Sequence, residues 1–205
     1  MDNNNDYLDQ LAEIRRLMEK SSKFMSLSGF SGIFLGLYAL VGGYLVWDIL
    51  GNLSLTEPRK IMMIFLVAAI VLVASLATAL WFSIRQAKKT NQQIWGPSSR
   101  QLLFNLILPL TTGGVFAILL ATGGYYALIA PALLVFYGLA LAIAARYTHR
   151  ELYFAGLAQI LLGLVALALP RYGLLLWAAG FGVVHILYGL YMYFVHEREP
   201  LNPGK

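Results

Sequence analysis

QLLFNLILPLTTGGVFAILLATGGYYALIAPALLVFYGLALAIAA, residues 101–145, contains no charged side chain. As one helix these 45 residues would run to about 67 Å at about 1.5 Å per residue, more than twice the roughly 30 Å hydrocarbon thickness of a bilayer. The segment must therefore fold back. The reversal falls at Thr122-Gly123-Gly124, because paired glycines punctuate helices. The adjacent Tyr125-Tyr126 carries the amphipathic rings that settle at a membrane interface. One uncharged run thus becomes two spans.

Working outward, four further uncharged stretches (26–47, 61–84, 152–170 and 172–195) are each long enough to cross a bilayer as a helix. Charged residues make up 12% of the chain, about half the share of an ordinary soluble domain, which agrees with a membrane protein. The expected fold is all-α and polytopic: six transmembrane helices in three hairpins, at about 26–49, 61–84, 102–122, 125–145, 152–169 and 172–195. A short amphipathic cytoplasmic helix within 1–25 precedes this 26–195 domain, and a cytoplasmic tail, 196–205, follows it.

Basic residues set the expected orientation. Arg15, Arg16, Lys20, Lys23, Arg85, Lys88, Lys89, Arg100, Arg146, Arg150, Arg198 and Lys205 fall on one side, against Arg59, Lys60 and Arg171 on the other. By the positive-inside rule the first group is cytoplasmic. The chain then reads as a multi-pass protein of the cell (inner) membrane with both termini in the cytoplasm. Asp2, Asp6 and Asp9 stand where a cleavable signal peptide would be basic, and no small-residue cleavage site follows the first apolar run. The absence of cysteine excludes disulfides and thiolate chemistry. Topology and anionic lipid account for the net positive charge, so no nucleic-acid partner is expected.

Tyr137-Gly138-Leu139 in the fourth span recurs as Tyr188-Gly189-Leu190 in the sixth, as a two-helix unit used repeatedly would produce. The run Gly163-Leu164-Val165-Ala166-Leu167-Ala168-Leu169-Pro170, with Gly182 and Gly189 seven apart in the returning helix, resembles the two-helix repeat of the HdeD-type acid-resistance membrane proteins. Gly36 and Gly43 carry the likeness into the first hairpin. That resemblance implies six spans in three hairpins and a stress-related role, and it transfers no site residue.

Ahead of the first span, Tyr7, Leu11, Ile14, Met18, Ser21 and Met25 recur at a/d spacing, with Asp6 placed to cap the helix. Such a helix either docks a protein partner or, more plainly, lies at the lipid headgroups or extends the first span, and with barely two heptads the plainer reading is favoured. The loop from Gln86 to Arg100 holds Lys88, Lys89 and Trp95 without an acidic residue, which suits anionic headgroups at the cytoplasmic face.

Two sets of residues stand out within the spans. Ser28, Gly32 and Gly36 share one helix face in the small-xxx-small pattern that permits close approach of membrane helices. Packing within the chain is the preferred reading over dimerisation, because five other spans compete for that face. In the fifth span Gly156, Gln159, Gly163 and Ala166 fall at heptad spacing, as do Ala178, Gly182, His185 and Gly189 in the sixth. Gln159 and His185 should therefore point inward near mid-bilayer. With a turn at Pro170-Arg171, antiparallel counting leaves them about 5 Å apart in depth. An intramembrane ionisable residue is a candidate functional site, for example a proton-responsive switch. The plainer reading is a neutral imidazole bonded to Gln159 or a tyrosine as interhelical glue.

His149, Glu151, His196, Glu197 and Glu199 could together hold a metal, but their spacing is loose and anchoring of helix ends is the better account. There is no nucleophile elbow, zinc-protease motif or phosphate-binding loop, and a membrane haem would want two buried histidines. No catalytic residue, metal site or cofactor is expected. The sequence points to a non-enzymatic accessory, regulatory or stress-associated membrane protein. The alternative is a small transporter or channel whose polar path passes His185, Gln159 and a helix break at Pro109 to Gly114.

Overall fold

At the reversal in the 45-residue run, the backbone leaves its helix at Thr122 and Gly124 takes φ +79°, a left-handed conformation that costs a residue with a Cβ about 1–2 kcal/mol. The computed structural model containing this turn describes residues 28–89 and 96–197. The region 1–27, which includes the expected amphipathic helix, and the tail from 198 onward lie outside the described residues, as do residues 90–95 of the basic loop.

Six helices are long and apolar enough to cross a membrane: α1 (Gly29–Gly51), α2 (Glu57–Lys89), α3 (Pro97–Thr122), α4 (Ile129–Ala144), α5 (Glu151–Ala168) and α6 (Pro170–Val195). Among the described residues there is no strand. The long α2 extends the expected span at both ends: Glu57 caps its first turn and pairs with Lys60 at 3.0 Å, and Lys88 and Lys89 close its last. Acid at the start and base at the end complement the helix dipole. α3 begins where Ser99 Oγ and the Gly96 backbone exchange hydrogen bonds of 2.8 and 2.9 Å.

The helix break at Pro109 to Gly114 that the transporter alternative invokes does not occur. Pro109 removes one backbone donor, yet the helix continues to Thr122. Thr111 donates to the Ile107 carbonyl at 2.6 Å and Thr112 to that of Leu108 at 2.8 Å. The hydroxyls add second bonds to carbonyls that already face the backbone N–H groups of Thr111 and Thr112; the carbonyl that loses its donor to the proline is that of Asn105.

The helices form a row. α2 packs on α1, α1 on α6, α6 on α5, α5 on α4 and α4 on α3; α6 also reaches α4, while α2 and α3 stand at the ends and are not packed on one another. The two tightest junctions, α1 with α6 and α4 with α5, are made by glycine. A Cβ on Gly29 would lie 2.5 Å from the Gly189 carbonyl oxygen, and one on Gly156 would lie 2.7 Å from that of Gly138. No side chain fits at that distance, so the absence of one is what lets the backbones touch.

The two junctions share one register. Gly29 meets Gly189 and Tyr193, while Gly156 meets Gly138 and Ala142; Gly36 meets Gly182 and Ile186, while Gly163 meets Pro131 and Val135. Each α6 residue here stands 51 positions after its α4 counterpart, and each α5 residue 127 after its α1 counterpart. Ile33, Leu35, Gly36, Leu37, Ala39 and Leu40 of α1 recur as Ile160, Leu162, Gly163, Leu164, Ala166 and Leu167 of α5.

Candidate functional site between the fourth, fifth and sixth helices

α6 is not a uniform helix. A 3-10 turn at Pro170–Tyr172 leads into α-helix, and Ala179–Val184 is wound as a π-helix before α-helix resumes at His185. Such π segments widen the helix and frequently mark functional positions. This one contains Gly180 and Gly182, whose lack of side chains lets α5 and α1 close on either side: a Cβ on Gly180 would strike the Gln159 amide, and one on Gly182 would strike Leu40.

The Gly180 carbonyl is the centre of the site. Gln159 Nε2 donates to it at 2.8 Å, and His185 Nδ1 lies 3.2 Å from it. A carbonyl can only accept, so Nδ1 carries a proton and donates to it. The Tyr137 hydroxyl from α4 bonds Nε2 at 2.7 Å. Both ring nitrogens of the histidine are thus bonded. Gln159 Nε2 and His185 Nδ1 stand 3.5 Å apart as two donors sharing one acceptor.

Aromatic rings close the site. Phe181 stacks on His185 with centroids 6.0 Å apart and planes 9° from parallel, and Tyr137 sits 5.3 Å from the imidazole. Trp177 extends the α6 ladder through Phe181 at 5.1 Å. Gln159 is 0% exposed and His185 7%. Among the described residues two buried side-chain polar atoms have no partner: Gln159 Oε1 and Tyr188 Oη. An unsatisfied buried acceptor of this kind costs about 1–3 kcal/mol.

Ser28, Gly32 and Gly36 are all buried, and the face they mark packs within the chain on α6. A Cβ on Gly32 would meet the backbone of Gly189 and His185 at 3.0–3.1 Å. The packing face and the polar pair, separate in the sequence, therefore meet on the same helix. Among the described residues no group of His, Cys, Asp and Glu is arranged to hold a metal. His149 is buried at the start of α5, and Glu199 lies outside the described residues.

Sequence reasoning did not single out Tyr137 or the Gly180 carbonyl. The signal for Tyr137 was its place in the Tyr-Gly-Leu triplet shared with α6; the carbonyl had none, because its exposure depends on the π winding. No family profile, curated protein or solved structure matches the chain.

Proposed function

We propose that the chain is a non-enzymatic, multi-pass protein of the cell (inner) membrane with three helical hairpins and both termini in the cytoplasm. It acts as an accessory or regulatory subunit through its outer helix faces and cytoplasmic segments. The observation that carries this reading is the inward use of its polar groups: Tyr137 bonds to His185, and His185 and Gln159 share the Gly180 carbonyl of α6, leaving an apolar exterior. Leu53, Trp81, Phe104 and Leu175 are each at least 68% exposed, which water disfavours and lipid tails accept. The glycine-rich repeat and its likeness to acid-resistance proteins support a stress-associated role. Transport draws less support, since α3 is continuous where a broken helix would serve it.

Two measurements test this. Reporters fused after Lys205 or within residues 87–99 should read cytoplasm, and one inserted near Asn52 should read exterior; inverted results overturn the orientation. The purified protein, reconstituted into vesicles with a trapped pH-sensitive dye, should leave an imposed proton gradient intact. A gradient dissipated by the parent and preserved by His185→Ala would replace the accessory role with transport.

A further inference from the structure

A groove of about 300 Å³ opens on the outer face of the α1–α2 pair, lined by Phe34, Tyr38, Ala77, Thr78, Trp81 and Phe82. Its volume is at the lower end of the roughly 300–1,000 Å³ usual for ligand sites, which suits one slender apolar chain. Phe82 stacks against Phe34 at 5.8 Å, and the Tyr38 and Thr78 hydroxyls are joined at 3.3 Å. The wall is therefore aromatic, and its two hydroxyls bond to each other.

The same face of α2 continues into charge. Arg85 and Lys88 follow Trp81 at four and seven residues, and Lys89 follows Phe82 at seven, so all three project along the groove's line and all are exposed. Ala77 to Arg85 spans about 12 Å at about 1.5 Å per residue, close to the depth of one leaflet's hydrocarbon. No aspartate or glutamate occurs between Glu57 and Glu151. This cationic helix end has no nearby acid in sequence to neutralise it, and it begins about one turn beyond the aromatic groove.

We propose that this groove is a binding site for an anionic phospholipid, its phosphate held by Arg85, Lys88 and Lys89 and one acyl chain lying against Phe34, Ala77 and Trp81. The acyl channel selects a lipid over free phosphate, and the three cations select an anionic headgroup over a zwitterionic one. The proposal rests on the membrane reading.

Its test uses Trp81 as the reporter. A full-length variant with Trp47, Trp95 and Trp177 each changed to Phe is reconstituted with acyl-brominated phosphatidylglycerol or acyl-brominated phosphatidylcholine at low mole fraction. Relative association should favour the anionic lipid by at least about fivefold, the worth of one basic residue beside an anionic surface. Arg85→Gln with Lys88→Gln and Lys89→Gln should bring the ratio near one. Ala77→Phe fills the groove without touching a charge and should cut quenching by the anionic lipid to the phosphatidylcholine level. Equal quenching by both lipids in the parent overturns the site, including the case where acids of the N-terminal region neutralise the cations. A preference that survives both variants overturns it as well. No quenching by either lipid would instead remove the membrane placement beneath it.

Discussion

Gly189→Ala probes the close backbone approach of α6 to α1. The added Cβ would lie 2.5 Å from the Gly29 carbonyl oxygen and 2.6 Å from the Ile33 nitrogen, whereas ordinary contact begins at 3.4 Å. Both obstacles are backbone, so no rotamer change relieves them. The helices must part by about 0.9 Å. A gap of about 0.5–1 Å forfeits a quarter to a half of each dispersion contact along the junction, and overpacking of this kind costs about 1–3 kcal/mol. At about 2–4 °C per kcal/mol for a chain of this size, Gly189→Ala should lower the unfolding midpoint by about 2–12 °C. Thermal unfolding in one detergent, followed by intrinsic fluorescence, measures it. Gly114→Ala is the control, because a Cβ there meets nothing within 4 Å; it should stay within about 0.5 kcal/mol of the parent. Equal midpoints for the two variants would refute the claim that this glycine sets the helix spacing.

Membrane hydrogen bonds contribute about 0.6 kcal/mol on average and at most about 1.7, so Tyr137→Phe should insert normally and lower the midpoint by no more than about 7 °C in the same assay. His185→Ala should likewise insert and fold nearly as well as the parent while any proton-dependent behaviour changes; loss of folding would assign the ring a purely structural role. Gln159→Leu removes the unpartnered Oε1 together with the bond to Gly180, and replacing a half-satisfied polar group by an apolar one of similar shape is near neutral or stabilising. A loss above about 3 kcal/mol for Gln159→Leu, read as a shift in midpoint, would mean that a donor satisfies Oε1 in the membrane.

Helix positions were legible because charge is excluded from long stretches and one residue type, glycine, forces the reversal at 123–124. Depth was legible within one pair of helices: counting back from Pro170 sets Gln159 and His185 close in depth, and their side chains stand 3.5 Å apart. Tyr137 belongs to a different pair, and no counting rule relates its depth to that of His185. The π segment was illegible because Ala179–Val184 differs from an α-helical sequence only in its glycines, and the winding answers to the neighbours on either side. Proline's intrinsic cost at position 109 is local and visible, whereas the continuity of α3 through it is not.

The shared register of the two glycine junctions makes the chain its own reference state. Counting 127 residues back from Gln159 lands on Gly32, and 51 back from His185 lands on Leu134. The α1–α6 junction carries a hydrogen at Gly32 and an imidazole at His185, whereas the α4–α5 junction carries an amide at Gln159 and an isobutyl group at Leu134. What perturbations at Gly138 and at Gly189 have in common belongs to the scaffold, and their difference compares the amide's side of the polar centre with the imidazole's, without recourse to a second protein.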